Sequence, residues 1–422
     1  MFKKITLPNK LRIITTPMKG TNTVTVLVLC GTGSDNETNK EAGISHFLEH
    51  MFFKGTKKRP TPQIIKGEMN QMGGIQNAFT SHEITGYYIK TAKTRLDRAL
   101  EILADIYINS LLDQKEIDRE RQVVIEEMHM IADTPERQVG IEYEKLLYGN
   151  QNAGRDISGT EEHIRSFTPK HFKDYFNRQY TAQNTAVVVA GNCDESYVTR
   201  KVLALFSKVR ATKPKPFGSF RELRHKNPQT KVIFKETDQT HILLGFRGIP
   251  GVDKDRYVAD MLATVLGGSW SSRMFDTVRE RLGLAYHIAT DHSAYSNRGC
   301  LVTYAGVAHS NVERATAAIM GEYSKMIERG VNVSELTRTK EYIKTHTLIA
   351  MEASNAVANF VGSEEMLTGK PLTIDEVFAK IDAVTPAQVQ ALAKKLFRPE
   401  RLNLAIIGPF KDEEKFKKLL KL

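Results

Sequence analysis

Apolar and polar positions alternate along the chain with two different periods. Short apolar runs bounded by turn-forming residues predict strands, and longer stretches with apolar residues about every three to four positions predict helices. The predicted strands are LRIITTP from 11, NTVTVLVLCGTG from 22, TAVVVAG from 185, KVIFKET from 231, HILLGFRGIP from 241 and LNLAIIG from 402; long helices are predicted at 94–109 and 311–330. This order indicates α/β sandwich domains in which helices cover one face of a largely antiparallel sheet.

The pattern occurs twice. IRSFTP begins at Ile164 and IDAVTP at Ile381, which are 217 positions apart, and Gly191 and Gly408 have the same spacing. A spacing that is kept across several elements indicates a duplicated domain. Residues 209–223 lie in a stretch that mixes proline, lysine and small residues, and they are predicted to form an exposed linker. We therefore predict an α+β protein with two duplicated α/β sandwich domains, at 1–208 and 224–422.

Composition narrows the class of protein. The 422 residues are 41% hydrophobic and 26% charged, a balance typical of soluble globular proteins. No stretch approaches the roughly 18 apolar residues of a membrane span, and no signal peptide is recognisable, so we expect a cytoplasmic protein without membrane association. The three cysteines, Cys30, Cys193 and Cys300, are far apart, which disfavours a disulfide framework or a thiolate zinc site.

Residues 43–53 are predicted to form a helix with two unlike sides. Ile44, Phe47, Leu48 and Met51 follow the spacing of a buried stripe. His46, Glu49 and His50 fall on the opposite side, and the two histidines are one turn apart, so both imidazoles can reach one metal ion. An ordinary solvated face explains the stripe equally well, but Phe53 also lies on the polar side, which favours a site.

Two imidazoles do not complete a catalytic zinc site, which uses three protein ligands and keeps a fourth position for water. The best third candidate lies at 118–135, where Glu120, Val123, Val124, Glu127 and Ile131 share one helical stripe. A carboxylate within an apolar face is costly unless it is paired or binds a cation. Glu127 could bind the metal, and Glu120, two turns earlier, could hold a ligand in place. An ion pair with lysine or arginine is the alternative.

The sequence HFLEH, with His-x-x-Glu-His spacing, resembles the inverted zinc motif of the pitrilysin/insulysin class of metallopeptidases, which includes the mitochondrial processing peptidase. Glu127 lies 77 positions after His50 and Glu120 lies seven before Glu127, as in that family. LPNKLRII, GGIQNAFTSHEITGYY and LGGSWSSRMFDTVRERLGLAY extend the likeness over nearly the whole chain. The resemblance implies the processing-peptidase/LuxS-like metallohydrolase fold.

The same resemblance implies roles for individual residues. His46, His50 and Glu127 would bind one Zn²⁺ per chain, Glu49 would be the general base, and Glu120 would support catalysis. Further expected site residues are Asn77, Ala78 and Phe79, on an edge strand that an extended peptide joins; Gly267 and Gly268, in a glycine-rich loop; and Arg279 and Tyr286, which would bind the substrate main chain or the oxyanion. Ser269 and Trp270 depart from the family's commoner third glycine.

We therefore expect a zinc-dependent metalloendopeptidase that hydrolyses oligopeptides or unfolded leader peptides inside a dimer chamber. A homodimer is favoured because the chain carries both the metal motif and the Arg279–Tyr286 pair; a heterodimer with an inactive homologue is the alternative. A non-catalytic scaffold or assembly subunit on the same fold is the second hypothesis. Nucleic-acid binding rests only on the net charge of +11, and without a nucleic-acid-binding motif it is disfavoured.

Overall fold

The computed structural model describes residues 2–216 and 218–421. Met1, Leu422 and Phe217, which falls within the predicted linker 209–223, lie outside the described residues. The strands are β1 Lys3–Thr6, β2 Arg12–Pro17, β3 Thr23–Cys30, β4 Ile75–Thr80, β5 Thr85–Ala92, β6 Thr185–Gly191, β7 Gln229–Phe234, β8 Thr240–Arg247, β9 Ala285–Ala294, β10 Gly299–Val307 and β11 Leu402–Gly408.

The helices surround two separate sheets. They are α1 Ile44–Met51, α2 Pro62–Gln71, α3 Leu96–Asn109, α4 Gln114–Asp133, α5 Pro135–Tyr148, α6 Glu161–Ser166, α7 Pro169–Gln179, α8 Glu195–Phe206, α9 Arg256–Gly267, α10 Val312–Arg329, α11 Val333–Ala350, α12 Ser354–Thr368, α13 Ile374–Asp382, α14 Pro386–Leu396 and α15 Glu413–Lys417. Phe275–Arg281 forms a π-helical segment. Among the described residues, no helix is long and apolar enough to cross a bilayer.

Two compact units form around these sheets. The first comprises the described residues of Met1–His129, Arg155–Ser219 and Leu348–Thr373, and the second those of Met130–Gly154, Phe220–Thr347 and Ile374–Leu422. The units differ from the predicted halves in two segments. The segment that carries α5 belongs to the second unit, and the segment that carries α12 belongs to the first.

The two sheets share one plan and are largely antiparallel, as predicted. Among the described residues, the first sheet has the strand order β1-β2-β6-β3-β5-β4, and β2 with β6 is its parallel pair. The second has the order β7-β11-β8-β10-β9, and β7 with β11 is its parallel pair. The remaining neighbouring strands of both sheets pair antiparallel.

Helices cover both faces of the first sheet, whereas the sequence predicted one covered face. Val26 and Val28 of β3 pack in the core that contains residues of α1, α3, α7 and α8. Leu27 and Leu29 point to the opposite face, where Val361 of α12 joins their cluster. The physical reason is that the apolar run of β3 is continuous, and a strand of this kind is buried on both faces.

The second sheet is covered in the same way. Phe246 of β8 contacts the ring of Tyr323 in α10, with ring centroids 5.0 Å apart. Leu243, which lies on the other face of the strand, belongs to a buried cluster with Tyr143 and Leu147 of α5. Each sheet is thus enclosed by helices that come partly from the distant half of the sequence, which increases the apolar area that each unit buries.

Candidate metal centre

Helix α1 is fixed at its beginning by two features of the chain. Gly43, the residue before the helix, has φ of +93°, and a Cβ there would lie 2.4 Å from the Ser158 carbonyl oxygen, so only glycine fits. The two oxygens of the buried Glu37 carboxyl group accept hydrogen bonds from the backbone N–H groups of Gly43 and Ser45, at 2.9 and 2.8 Å. Burial raises the pKa of Glu37 to about 8, although these hydrogen bonds oppose the shift.

The predicted division of α1 into two sides is confirmed. Ile44, Phe47, Leu48 and Met51 are buried in the core of the first unit, which leaves His46, Glu49 and His50 only partly buried. The apolar side holds the helix against the core, because each buried side chain of this size contributes about 1.5–3 kcal/mol. The polar side is therefore free to carry chemistry.

Helix α4 brings the third candidate ligand to the same place. Its buried residues are Ile117, Glu120, Val124 and Ile125, and Glu127 lies at the margin of that face with 33% of its side chain exposed. The predicted stripe was wrong for Val123, which is 51% exposed. At 3.6 residues per turn, Val123 lies about a third of a turn to one side of Ile117 and Val124, toward solvent, whereas Ile125 lies on their other side, in the core.

Three ligand atoms form a nearly equilateral triangle. The Nε2 atoms of His46 and His50 are 3.4 Å apart, and the Glu127 Oε2 atom lies 3.7 Å from the first and 3.4 Å from the second. Zinc ligands at about 2.0–2.1 Å in a tetrahedron lie roughly 3.3–3.4 Å from one another. The triangle therefore matches one face of such a tetrahedron, and these residues fit a zinc ion.

The charges around the triangle also suit a cation. Burial and the nearby His50 lower the pKa of His46 to about 4, so His46 is a neutral imidazole at neutral pH, the form that binds metal. Burial acts to lower the pKa of His50, but Glu120 and Glu127 outweigh it and raise that pKa to about 9. In the metal-free chain these carboxylates thus stabilise a positive charge at the triangle, and a metal ion supplies the same charge.

Glu120 fixes the orientation of His50. His50 Nδ1–H donates a hydrogen bond of 2.9 Å to Glu120 Oε1, which leaves Nε2 as the atom that faces the triangle. Burial acts to raise the pKa of Glu120, but the bonds from His50 and Lys54 outweigh it, so the net pKa is lowered and the carboxylate is ionised. Lys54 was missed at the level of sequence, although it follows the motif closely.

Glu49 lies beside the triangle and is joined to the sheet edge. The Thr80 hydroxyl donates a hydrogen bond of 2.5 Å to Glu49 Oε2. Burial raises the pKa of Glu49 above its usual value, and the Thr80 bond acts in the opposite direction. Thr80 was also missed, although it lies in the quoted GGIQNAFT segment and its alternation with Ala78 in an extended strand was visible.

The predicted edge strand is β4, which ends at Thr80. It pairs with β5 on one side and is the last strand of the first sheet. Asn77 is exposed, while Ala78 and Phe79 are half-buried. The strand that could accept an extended peptide is thus the strand whose last residue contacts Glu49.

The predicted residues of the second half lie in the second unit. The Arg279 guanidinium lies 4.6 Å from the ring centroid of Phe275 and 5.7 Å from that of Tyr286, which is 84% exposed. The π-helical segment that carries Arg279 is a rare form often found at functional sites. Trp270 is 86% exposed and stacks on Phe275, with ring centroids 6.3 Å apart.

The two predicted glycines differ in their surroundings. Gly267 ends α9 and is buried, and a Cβ there would lie 2.3 Å from Thr290 Oγ1, so close packing against β9 explains this glycine. Gly268 follows the helix and is exposed. Substrate binding by Gly267 and Gly268 stays a prediction.

Comparison with known proteins identifies the family. Residues 12–161 match the family model for insulinase (peptidase family M16), and residues 166–343 match the model for the peptidase M16 inactive domain. A Bacillus subtilis protein named uncharacterized zinc protease YmxG is 36% identical over 97% of this chain and 98% of its own length. A Rickettsia felis protein, also named an uncharacterized zinc protease, is 34% identical over 96% of both chains.

Solved structures share the fold. A protease from Helicobacter pylori superposes with a TM-score of 0.89 at 23% identity, over 97% of this chain and 99% of that one. A peptidase M16 inactive domain from Pseudomonas fluorescens also superposes with a TM-score of 0.89, at 16% identity, over 98% of this chain and 99% of that one. At these identities the structures establish the fold alone. With the matched models and relatives, the family predicted from HFLEH is confirmed: the chain belongs to peptidase family M16, the insulinase family.

Proposed function

We propose that the protein is a zinc metalloendopeptidase that hydrolyses peptide bonds of oligopeptides or unfolded segments. The observation that carries the proposal is the triangle of His46, His50 and Glu127 with Glu49 beside it. The names of the Bacillus and Rickettsia relatives as zinc proteases support it. His46 Nε2, His50 Nε2 and Glu127 Oε2 would hold one zinc ion per chain.

Zinc in such a site lowers the pKa of water and polarises the carbonyl of the scissile bond. Glu49 takes a proton from the attacking water as the water oxygen bonds to the carbonyl carbon. Glu49 then gives this proton to the amide nitrogen as the C–N bond breaks, which restores its carboxylate. Thr80 holds Glu49 by its hydroxyl, and Glu120 keeps the His50 ring in the orientation that ligation requires.

The edge strand β4 is the proposed binding site for the substrate main chain. An extended peptide would pair with β4 through main-chain hydrogen bonds, near Asn77, Ala78 and Phe79, and this mode selects for extended chains more than for particular side chains. Arg279 and Tyr286 would bind the substrate main chain or the oxyanion, and the loop at Gly267 and Gly268 would assist. We further propose a homodimer with a closed chamber that admits peptides and excludes folded proteins; a heterodimer with an inactive homologue is the alternative.

The test compares wild type with Glu49→Gln on a mixed peptide library, with zinc content measured for both. Glu49→Gln should lose about 10²–10⁴-fold in cleavage rate, because the proton acceptor is removed, and should retain about one zinc per chain. Glu126→Gln is the matched control, since Glu126 precedes Glu127 in α4 and is exposed. This variant should cleave and bind zinc like the wild type. Equal cleavage by Glu49→Gln would contradict the mechanism, and a wild type without zinc or cleavage would favour the scaffold hypothesis.

A further inference from the structure

Lys54 contacts the residue that orients His50. Its Nζ atom forms a short ion pair with Glu120 Oε2, while Glu120 Oε1 accepts the hydrogen bond from His50 Nδ1. The contact is largely shielded from water, since the Lys54 side chain is 17% exposed and that of Glu120 is 8% exposed. The two oxygens of one carboxylate are thus divided between an ammonium group and an imidazole.

This division restricts the carboxylate. With Oε2 held by Lys54, a rotation of Glu120 that breaks the bond to His50 also breaks the ion pair. A buried carboxylate that loses one of two charge-assisted bonds is left poorly compensated, which favours other side-chain orientations. The partner that orients a metal-binding histidine affects metal affinity, because it fixes the ring and its tautomer.

We propose that Lys54 is a positioning residue of the metal centre: it holds the Glu120 carboxylate against His50 Nδ1–H and so aims His50 Nε2 at the ligand triangle. The inference rests on the proposed function, since it requires that the triangle bind zinc. The inference predicts that removal of Lys54 weakens zinc binding, whereas a purely electrostatic argument predicts the opposite effect. A lysine that acted only as a nearby positive charge would weaken the binding of a divalent cation, and its removal would strengthen it.

The experiment measures the zinc dissociation constant of the full chain by competition with a chromophoric chelator at fixed pH. The variants are Lys54→Met, Lys54→Arg, Glu120→Gln and the double variant Lys54→Met/Glu120→Gln. Lys58→Met is the matched control, because Lys58 is 63% exposed and its ion pair with Glu101 spans 3.9 Å. Circular dichroism verifies folding, and Lys54→Gln replaces Lys54→Met if the latter does not fold.

We expect Lys54→Met to weaken zinc binding by about 10- to 100-fold, as other changes to the partners of metal-binding histidines do. Lys54→Arg should restore most of the affinity, and Lys58→Met should leave it unchanged. The double variant should bind no more weakly than Glu120→Gln alone, because Lys54 acts through Glu120. Unchanged or tighter binding by Lys54→Met, or additive effects in the double variant, would overturn the inference. A wild-type protein that binds no zinc in this titration would contradict the proposed function itself.

Discussion

The two units repeat one chain plan and differ in the first α-helix that follows β3 in one unit and β8 in the other, which is α1 or α9. β3 at Thr23–Cys30 and β8 at Thr240–Arg247 are offset by 217 positions, and the same offset relates β2 to β7 and β6 to β11. At that offset, His46, Glu49 and His50 correspond to Ala263, Leu266 and Gly267 of α9, all three of which are buried. Helix α1 thus has a polar side at these positions, whereas α9 is buried in the core of its unit at the corresponding positions.

This difference shows that the sheet plan does not specify the chemistry. The second unit keeps the strand order and the helices on both faces, yet its helix α9 lacks the histidines and the glutamate. The polar side of α1 depends on partners elsewhere in the first unit, namely Glu37 at its beginning, Glu120 against His50 and Thr80 against Glu49. Function resides in a site that the fold carries.

The largest effect should come from making α1 resemble α9. His46→Ala removes one of the three proposed ligands, and cleavage should fall by about 10³-fold or more, because several kcal/mol of transition-state stabilisation are lost. Zinc content measured by elemental analysis should fall with it. Ala263→Ser, at the corresponding position of α9, should change neither quantity. Full activity in His46→Ala would contradict the assignment of the metal centre to the first unit.

A second prediction asks whether the unit without the motif contributes to the reaction. Tyr286→Phe removes an exposed hydroxyl, and kcat should fall by about 10²–10³-fold if that hydroxyl stabilises the oxyanion. Tyr304→Phe is the control in the same sheet, where the hydroxyl is hydrogen-bonded to His241 at 2.9 Å. Steady-state kinetics on one cleaved peptide measure both variants. An unchanged kcat in Tyr286→Phe would remove Tyr286 from the mechanism.

A smaller effect should come from the contact between the edge strand and Glu49. Thr80→Val keeps the shape of the side chain and removes the donor, so kcat should fall by about 10- to 100-fold, the value of a hydrogen bond to a charged group. Thr80→Ser keeps the hydroxyl and should retain most of the activity, and zinc content should stay at the wild-type level in both. If valine and serine behave alike, the hydroxyl does not position Glu49.

The smallest effect concerns the anchor of α1. The pKa of Glu37 is raised by burial from 4.5 to about 8, so between these values the folded chain keeps a proton that the unfolded chain releases. Stability therefore falls as pH rises through this window. From pH 6 to pH 7, wild type should lose about 1 kcal/mol in free energy of unfolding relative to Glu37→Gln, which does not ionise. Parallel pH profiles in denaturant titrations would contradict this.

The sequence predicts local features of the molecule well, because they follow from periodicity. The stripe of Ile44, Phe47, Leu48 and Met51, the paired histidines and the position of Glu127 on a second helix are all visible in the spacing of residue types. The duplication is equally visible, since Gly191 and Gly408 end corresponding strands.

The features that sequence reasoning missed join residues far apart in the chain. Thr80 and Glu49 are 31 positions apart, and Lys54 forms its ion pair with Glu120, which lies on a different helix far along the chain, so no local pattern links them. Sequence reasoning also missed that α5 covers the second sheet and α12 covers the first, because these contacts too join distant parts of the chain. The covering of the second face could have been predicted in part. The continuous apolar run of β3 indicates a strand that is buried on both faces of the sheet, and the helices predicted in the first half of the chain mainly cover one of these faces.

Anomalous scattering at the zinc edge, from crystals of the full chain grown with zinc, tests the central claim most directly. The account predicts one strong peak in the first unit at about 2.0–2.2 Å from His46 Nε2, His50 Nε2 and a Glu127 carboxylate oxygen. A peak held by other residues, or the absence of a peak at this triangle, would contradict it.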